Sequence, residues 1–181
     1  MRSPDYHFVT RWRVNGTCDE VGDVLSDPLQ LPRWWPSVYL RVTELTPGDA
    51  DGIGRVVDLY TKGWLPYTLR WRFTTTESRR AEGFSLDAEG DFVGRGVWTF
   101  VQDGAAVDVT FDWRIAAHKP LLRRLTLLLR PLFAANHHWA MRQGLTSLRL
   151  ELERRRAATP EARAGVPAPP GPTFAWLLRS R

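Results

Sequence analysis

The sequence predicts an α+β fold in which a curved, seven-stranded antiparallel sheet wraps around one long C-terminal helix. Seven segments before residue 118 have the composition or the alternation of β-strands, and short turns join most of them. From Pro120 onward, apolar residues recur at helical spacing instead. A sheet of this length cannot bury its apolar face alone, so the long helix must cover its concave side. We expect a pocket between the two, because a strongly curved sheet rarely packs solidly against a single helix.

The first strand and two short helices precede the rest of the sheet. Residues 6–14 (YHFVTRWRV) alternate with a period of two, which is typical of a half-buried strand. Thr17 and Glu20 have the spacing of a capping box, so a short helix should begin there. Residues 29–34 predict one further helical turn. Pro36 disfavours helix at the residue before it and should stop that turn.

Six more strands and the long helix complete the predicted order. Asp103-Gly104 is a strong hairpin signal before the last strand, whose inward positions are Val107, Val109, Phe111, Trp113 and Ile115. The helix carries one apolar stripe at steps of three and four residues: Ala134, His138, Met141, Leu145, Leu148 and Leu152. Upstream of the stripe, Pro131 should break or kink the helix. The predicted domain covers residues 1–157, and residues 158–181 form a Pro/Ala-rich basic tail.

Composition narrows the class of protein. The chain has 181 residues, 43% of them hydrophobic and nine of them tryptophan, which favours one folded domain. Cys18 is the only cysteine, which excludes an intramolecular disulfide and a cysteine-based zinc cluster. No apolar run reaches the roughly 18 residues of a membrane span, and no signal-peptide pattern is visible. We therefore expect a cytoplasmic protein.

Positive charge is concentrated at the C-terminal end. Residues 119–181 carry a net charge of +9 and residues 1–118 one of −4. Such asymmetry occurs in proteins that bind nucleic acid, but a solvated helix face followed by a basic tail explains it better, and no nucleic-acid recognition motif accompanies it. Residues 120–133 (PLLRRLTLLLRPLF) suit either transient contact with a membrane surface or, as we prefer, a core helix whose arginines reach water.

Four segments carry a resemblance to a known family. They are FVTRWRV (8–14), VLSDPLQLPRWWPSV (24–38), GDFVGRGVWTF (90–100) and HHWAMRQGLTSLRLELE (137–153). Together they resemble the START-like (SRPBCC) superfamily, of the polyketide cyclase/dehydrase and lipid-transport type, over roughly residues 6–156. The resemblance implies a helix-grip fold with an internal apolar cavity, used for binding or sometimes for aldol-type cyclisation. The family has no universal catalytic motif, so no catalytic residue is carried over.

Aromatic side chains are the main candidates for ligand contact. Trp34 and Trp35 form either a wall or lid of the cavity or a plug of the core beside the long helix, and both alternatives stay open. Other candidates lie on apolar faces of strands or on the helical stripe, where a plain core role is more common: Tyr67, Trp71, Trp98, Trp113 and Met141.

Two adjacent histidines are the candidates for proton transfer. His138 flanks the apolar stripe of the long helix, and His137 lies near its other edge. A histidine on the cavity side could exchange protons near neutral pH, although a structural hydrogen bond is the commoner role. Adjacent histidines on a helix point about 100° apart, and neither has a ligating residue four positions away, so no metal site is predicted.

These features lead to two functional hypotheses. The first is binding or carriage of a hydrophobic small molecule, a lipid or a polyketide-like compound, between sheet and helix. The alternative is a cyclase/dehydrase-type enzyme in which His138, Tyr67 or a nearby arginine moves protons. Convergence of several titratable groups inside the pocket would favour the enzyme, and because the sequence offers few of them, binding is preferred. No cofactor is predicted, and neither catalytic residues nor an oligomeric state can be assigned. The hydrophobic cluster TFAWLL (173–178) either docks on the domain or, as we prefer, remains free.

Overall fold

The computed structural model describes residues 6–117 and 120–175, with the backbone alone for residues 117 and 120–130. The strands are β1 (Tyr6–Asn15), β2 (Tyr39–Thr46), β3 (Val56–Lys62), β4 (Thr68–Arg79), β5 (Gly83–Gly90), β6 (Phe92–Asp103) and β7 (Ala106–Ala117). The helices are α1 (Cys18–Leu25), a 3₁₀ turn (Pro28–Gln30), α2 (Leu31–Trp34), α3 (Pro120–Arg156) and α4 (Pro160–Gly165). This order confirms the predicted α+β architecture.

The seven strands form a single antiparallel sheet in the order β1-β7-β6-β5-β4-β3-β2. Alternation sets which face of each strand is apolar, as in β7, where Val107 and Val109 are completely or almost completely buried while Asp108 pairs with Arg13 outside. Register shifts bend β2 and also β4 near Thr75. The concave face carries the hydrophobic core, as the predicted inward positions required.

Helix α1 begins with the predicted capping box. The Glu20 amide donates to the Thr17 hydroxyl oxygen at 3.2 Å, and the Thr17 amide donates to the Glu20 carboxylate at 2.8 Å. The same carboxylate accepts hydrogen bonds from Arg156 at the end of α3, at 2.7 and 2.8 Å. Those hydrogen bonds lower the pKa of Glu20 to about 2. The start of α1 is therefore tied to the last turn of α3.

Helix α3 runs without a break from residue 120 to 156 and contains Pro131, so of the break or kink expected at Pro131 the break does not occur. Proline removes only one intrahelical hydrogen bond, and the other hydrogen bonds and the packing of a long helix keep the segment helical. The C-terminal half of α3 packs against α1 and α2. There Glu151, 1% exposed, binds Arg33 of α2 through two hydrogen bonds of 2.6 and 3.0 Å.

A glycine lets α2 approach α3 closely. A Cβ atom at Gly144 would lie 2.3 Å from Cζ2 of the Trp35 ring, so only glycine leaves room for that ring on the helix. Trp35 is the residue that ends α2, in an irregular conformation of φ −128° and ψ 53°. This contact places the two adjacent tryptophans between the short helices and α3.

The segment after residue 157 contacts the domain. Thr159 caps the short helix α4, and Val166 is buried against the end of α3, where Arg154 donates to the Pro167 carbonyl at 2.8 Å. Residues 167–172 (PAPPGP) have no regular secondary structure, and Thr173 then contacts the β3–β4 connection. The boundary at residue 157 stays a prediction. The side chains of residues 120–130 and the end of TFAWLL lie outside the described residues.

Candidate functional site

Two neighbouring cavities lie against the concave face of the sheet. The first, which we call the loop cavity, has a volume of about 350 Å³ and lies between the sheet, α1 and the β2–β3 and β4–β5 connections. Its apolar floor includes Phe73, Trp98 and Phe100. Its rim carries six charged side chains: Asp19, Asp23, Asp51, Arg55, Arg79 and Arg80. This cavity therefore combines an aromatic floor with a polar mouth.

The second cavity, which we call the α3 cavity, lies between the sheet and the long helix and has a volume of about 190 Å³. Helix α3 contributes Phe133, Asn136, His137, Ala140 and Met141, one side of two helical turns. The sheet contributes mainly apolar side chains from six strands, among them the ends of β1, β4, β6 and β7. This is the internal space that the sequence predicted between sheet and helix.

Five aromatic rings border both cavities and so form a partition between them: Trp35, Tyr39, Trp71, Phe111 and Trp113. The rings are in contact within two groups, with centroids 5.2 Å apart for Trp35 and Tyr39, and 5.4 and 5.9 Å from Trp113 for Phe111 and Trp71. Trp71 donates from its indole nitrogen to the Thr61 hydroxyl at 3.0 Å. The indole N–H of Trp35 is buried without a hydrogen-bond partner among the described residues. A water or ligand oxygen would satisfy that donor.

Of the two adjacent tryptophans, one is a wall of the cavities and the other is part of the core. Trp34 is fully buried and borders neither of the two cavities, so it is part of the packed core. Trp35 is 2% exposed and is a wall of both cavities. Their rings lie 5.4 Å apart, which makes the core residue a support for the wall residue.

The remaining candidates fall on both sides of the partition. Tyr67 and Met141 border the α3 cavity, Trp98 borders the loop cavity, and Trp71 and Trp113 border both. His138 is exposed and borders neither cavity; its ring contacts Phe8 edge-on at 6.2 Å. The structure thus places most of the predicted ligand-contact residues at the cavities. That these residues bind a ligand stays a prediction.

His137, rather than His138, is the histidine beside the α3 cavity. Its ring stacks on Phe8 of β1 at 4.3 Å, and its Nε2 lies 3.4 Å from the Thr10 hydroxyl oxygen. Burial, with a smaller contribution from His138, lowers the pKa of His137 to about 4. At neutral pH it is therefore uncharged, with one nitrogen able to donate and one able to accept a hydrogen bond.

Other polar groups also meet at this cavity. Burial raises the pKa of Tyr67 to about 12, with Tyr6 adding to the effect, so Tyr67 keeps its proton at neutral pH. Asn136 and Lys62 line the same space. Neither Asn136 nor Lys62 was predicted as a site residue, because a single polar residue within a helix or at the end of a strand carries no periodic signal.

The described residues contain neither a metal site nor a membrane-spanning helix. Within residues 6–117 and 120–175, no three His, Cys, Asp or Glu side chains are placed so that they could hold a metal ion. In the part of the chain that is described, no helix has the length and apolar character to cross a membrane. A depression of about 520 Å³ lies between the end of α3 and α4, outside the sheet–helix interior, and charged residues including Arg149, Glu153 and Arg156 line it.

Comparison with known proteins gives one family and several similar folds. The family model for polyketide cyclase/dehydrase and lipid transport matches residues 6–153. The Zhui aromatase/cyclase from Streptomyces sp. R1128 is 19% identical, with a TM-score of 0.67, covering 84% of this chain and 96% of that one. The protein TTHA0849 from Thermus thermophilus is 18% identical, with a TM-score of 0.62 and coverages of 83% and 96%. No curated protein sequence matches the chain.

Proposed function

Because the chain belongs to the polyketide cyclase/dehydrase and lipid-transport family, we propose that it binds a hydrophobic small molecule, a lipid or a polyketide-like compound, between the sheet and α3. The observation that carries this proposal is the α3 cavity itself, an apolar space bordered by aromatic rings and a few polar groups. Such a combination is typical of small-molecule sites, in which apolar walls supply affinity and a few polar groups set orientation. The buried indole N–H of Trp35, which has no hydrogen-bond partner in the described part of the chain, adds a donor for an oxygen atom of the ligand.

Cavity size limits what this space accepts as it stands. Pockets for drug-sized ligands have volumes of roughly 300–1,000 Å³, and the α3 cavity has about 190 Å³. A short ligand fits in it. A longer one can be enclosed further only if the aromatic partition moves and opens the loop cavity, whose volume is about 350 Å³. In this proposal the partition limits the length of ligand that the interior encloses.

Filling the cavity tests the proposal. Ala140 borders the α3 cavity, whereas Ala135 lies on the exposed side of the same helix. We expect Ala140→Phe to abolish binding of the neutral fluorescent probe N-phenyl-1-naphthylamine and Ala135→Phe to leave it unchanged. The two variants add the same side chain to the same helix, so a nonspecific effect of phenylalanine would appear in both. Equal probe binding by both variants would refute binding in this cavity.

A second candidate function is cyclisation of a poly-ketone in the same space. The observation that favours it is the convergence of His137 and Tyr67 on the α3 cavity, both uncharged at neutral pH and so able to exchange hydrogen bonds with a substrate carbonyl. The aromatase/cyclase with a similar fold adds to this case. Turnover of a poly-β-ketone analogue that is lost in Tyr67→Phe and His137→Phe, while probe binding persists, would establish it. Unchanged turnover in both variants would exclude a role of His137 and Tyr67 in cyclisation.

A further inference from the structure

Lys62, the last residue of β3, is a buried lysine with an unusual set of partners. Its side chain is 3% exposed, and lysine is rarely buried to this extent unless a charge compensates it. Among the described residues no Asp or Glu carboxylate lies within salt-bridge distance of Lys62, although carboxylates pair with many of the arginines. A buried ammonium without an anion is a place where an anionic ligand group would be stabilised.

The oxygen atoms now bound to Lys62 come from the C-terminal segment. The ammonium donates to the Thr173 carbonyl oxygen and, at 2.7 Å, to the Thr173 hydroxyl oxygen. The Phe174 ring covers the same ammonium, with its centroid 5.4 Å from Nζ. An ammonium has three donors, and the third has no partner among the described residues. Thr173 thus presents two neutral oxygen atoms where a carboxylate would present two charged ones.

Lys62 lies at a fixed rim of the α3 cavity, which it borders together with Gly63 and Asn136. The Asn136 side-chain oxygen accepts from the Trp64 amide at 2.9 Å, and a Cβ atom at Gly63 would lie 2.0 Å from that oxygen. The β3–β4 connection is therefore held against α3. An ammonium at this rim can bind the polar end of a molecule whose apolar part lies in the cavity.

The C-terminal segment is attached in a way that allows it to be displaced. Phe174 has a φ of +52°, in the left-handed region that costs a non-glycine residue free energy, and its side chain is 43% exposed. Residues 167–172 contain four prolines and have no regular secondary structure. We call residues 166–174 the strap. Among the described residues, its end is held by Thr173 and Phe174 at Lys62 and by the Thr173 hydroxyl, which lies 3.3 and 3.1 Å from the Gly63 and Trp64 carbonyl oxygens that accept from it.

We propose that Lys62 binds the carboxylate of a hydrophobic acid whose apolar chain lies in the α3 cavity, and that this carboxylate displaces Thr173 from the ammonium. The proposal rests on the proposed function, since it names the ligand class of the same cavity. Asp91, which also borders the cavity, accepts a hydrogen bond from the Arg70 amide at 3.0 Å. Burial lowers the pKa of Lys62, and a bound carboxylate would raise it again.

A matched pair of ligands tests the proposal. Octanoate and 1-octanol have the same chain length, and at neutral pH only octanoate is charged. In calorimetric titrations of the full chain we expect octanoate to bind roughly tenfold to a hundredfold more tightly, the factor expected for a hydrogen bond to a charged group. Lys62→Met should remove this preference and Lys62→Arg should retain most of it. The control Arg41→Met removes an exposed charge from the neighbouring strand β2 and should leave the preference intact.

A second variant tests displacement of the strap. Thr173→Val keeps the shape of the side chain and removes the hydroxyl that binds Lys62, so octanoate affinity should rise roughly threefold to tenfold, with no rise in the Lys62→Met background. Equal binding of octanoate and octanol by the unaltered chain, unaffected by Lys62→Met, would overturn the role of Lys62 and leave the proposed function standing. If neither ligand binds and N-phenyl-1-naphthylamine also fails to bind, the proposed function itself is refuted.

Discussion

Replacing Gly144 by alanine tests how closely Trp35 packs against helix α3. The new Cβ atom would lie 2.3 Å from Cζ2 and 2.6 Å from Cε2 of the Trp35 ring. The ring is 2% exposed, so it cannot move into solvent and must shift toward one of the two cavities. Forcing an extra carbon into a filled core costs roughly 1–3 kcal/mol. Alanine within a helix is favoured over glycine by about 1 kcal/mol. We therefore expect Gly144→Ala to lower the free energy of unfolding by about 1 kcal/mol.

Gly22 provides the matched control in α1. A Cβ atom at Gly22 would meet Cε2 of Phe100 at 3.7 Å, an ordinary van der Waals distance. Gly22→Ala should therefore gain the helix preference of alanine without a clash and raise the free energy of unfolding by up to about 1 kcal/mol. The same substitution then has opposite effects at the two sites, and the two variants should differ by roughly 1–3 kcal/mol.

Urea unfolding followed by circular dichroism and by tryptophan fluorescence measures both variants. For a domain of this size, 1 kcal/mol corresponds to a change of roughly 2–4 °C in Tm, so thermal unfolding gives an independent comparison. An equal stabilisation of Gly144→Ala and Gly22→Ala would refute the close contact between Trp35 and α3. The partition between the cavities would then lose its main support.

Three further predictions concern the cavity wall and two buried ionisable groups. The pKa of His137 falls from 6.5 to about 4 on folding, so between these pH values the unfolded chain binds more protons than the folded one. The free energy of unfolding should therefore drop by roughly 3 kcal/mol as the pH falls from 6.5 to about 4. In His137→Phe, urea titrations over the same pH range should show a smaller dependence of stability on pH. Glu151→Gln should lower the free energy of unfolding by about 2–3 kcal/mol, which is less than the loss of a fully buried ion pair because Arg33 is 48% exposed. Glu153 is exposed, and Glu153→Gln should change the free energy of unfolding in urea by no more than about 0.5 kcal/mol. Trp35→Leu should raise the affinity for dodecanoate more than that for octanoate, because it opens the partition; an equal change for both acids in calorimetry would contradict control of ligand length.

The sheet could be predicted from the sequence because the patterns that specify its strands and turns lie within short segments of the chain. The alternation in β7 places Val107 and Val109 in the core whatever the rest of the chain does, and the Thr17–Glu20 capping box depends on four residues only. The order of strands from β2 to β7 follows from connections that join antiparallel neighbours, and each consecutive pair in that meander is hydrogen-bonded.

The details of the site depend on tertiary contacts that no local pattern contains. The apolar stripe predicts which side of α3 is buried with an uncertainty of about one residue. Which of the two adjacent histidines borders the cavity depends on the stacking of His137 on Phe8. The position of Trp35 depends on Gly144, more than a hundred residues away in sequence. Alternation on β3 predicts an outward Lys62, and its burial depends on Thr173 at the end of a proline-rich segment.

Native mass spectrometry of the purified full chain, with solvent extraction of whatever is bound, tests whether the α3 cavity holds a hydrophobic molecule. We expect such a molecule to travel with the unaltered protein and with Ala135→Phe, and to be absent from Ala140→Phe. Extraction would also show whether the molecule carries a carboxylate. A bound molecule retained equally by Ala140→Phe would contradict the assignment of the α3 cavity. A ligand-free mass for all three proteins, together with no binding of added octanoate, octanol or fluorescent probe, would contradict hydrophobic ligand binding altogether.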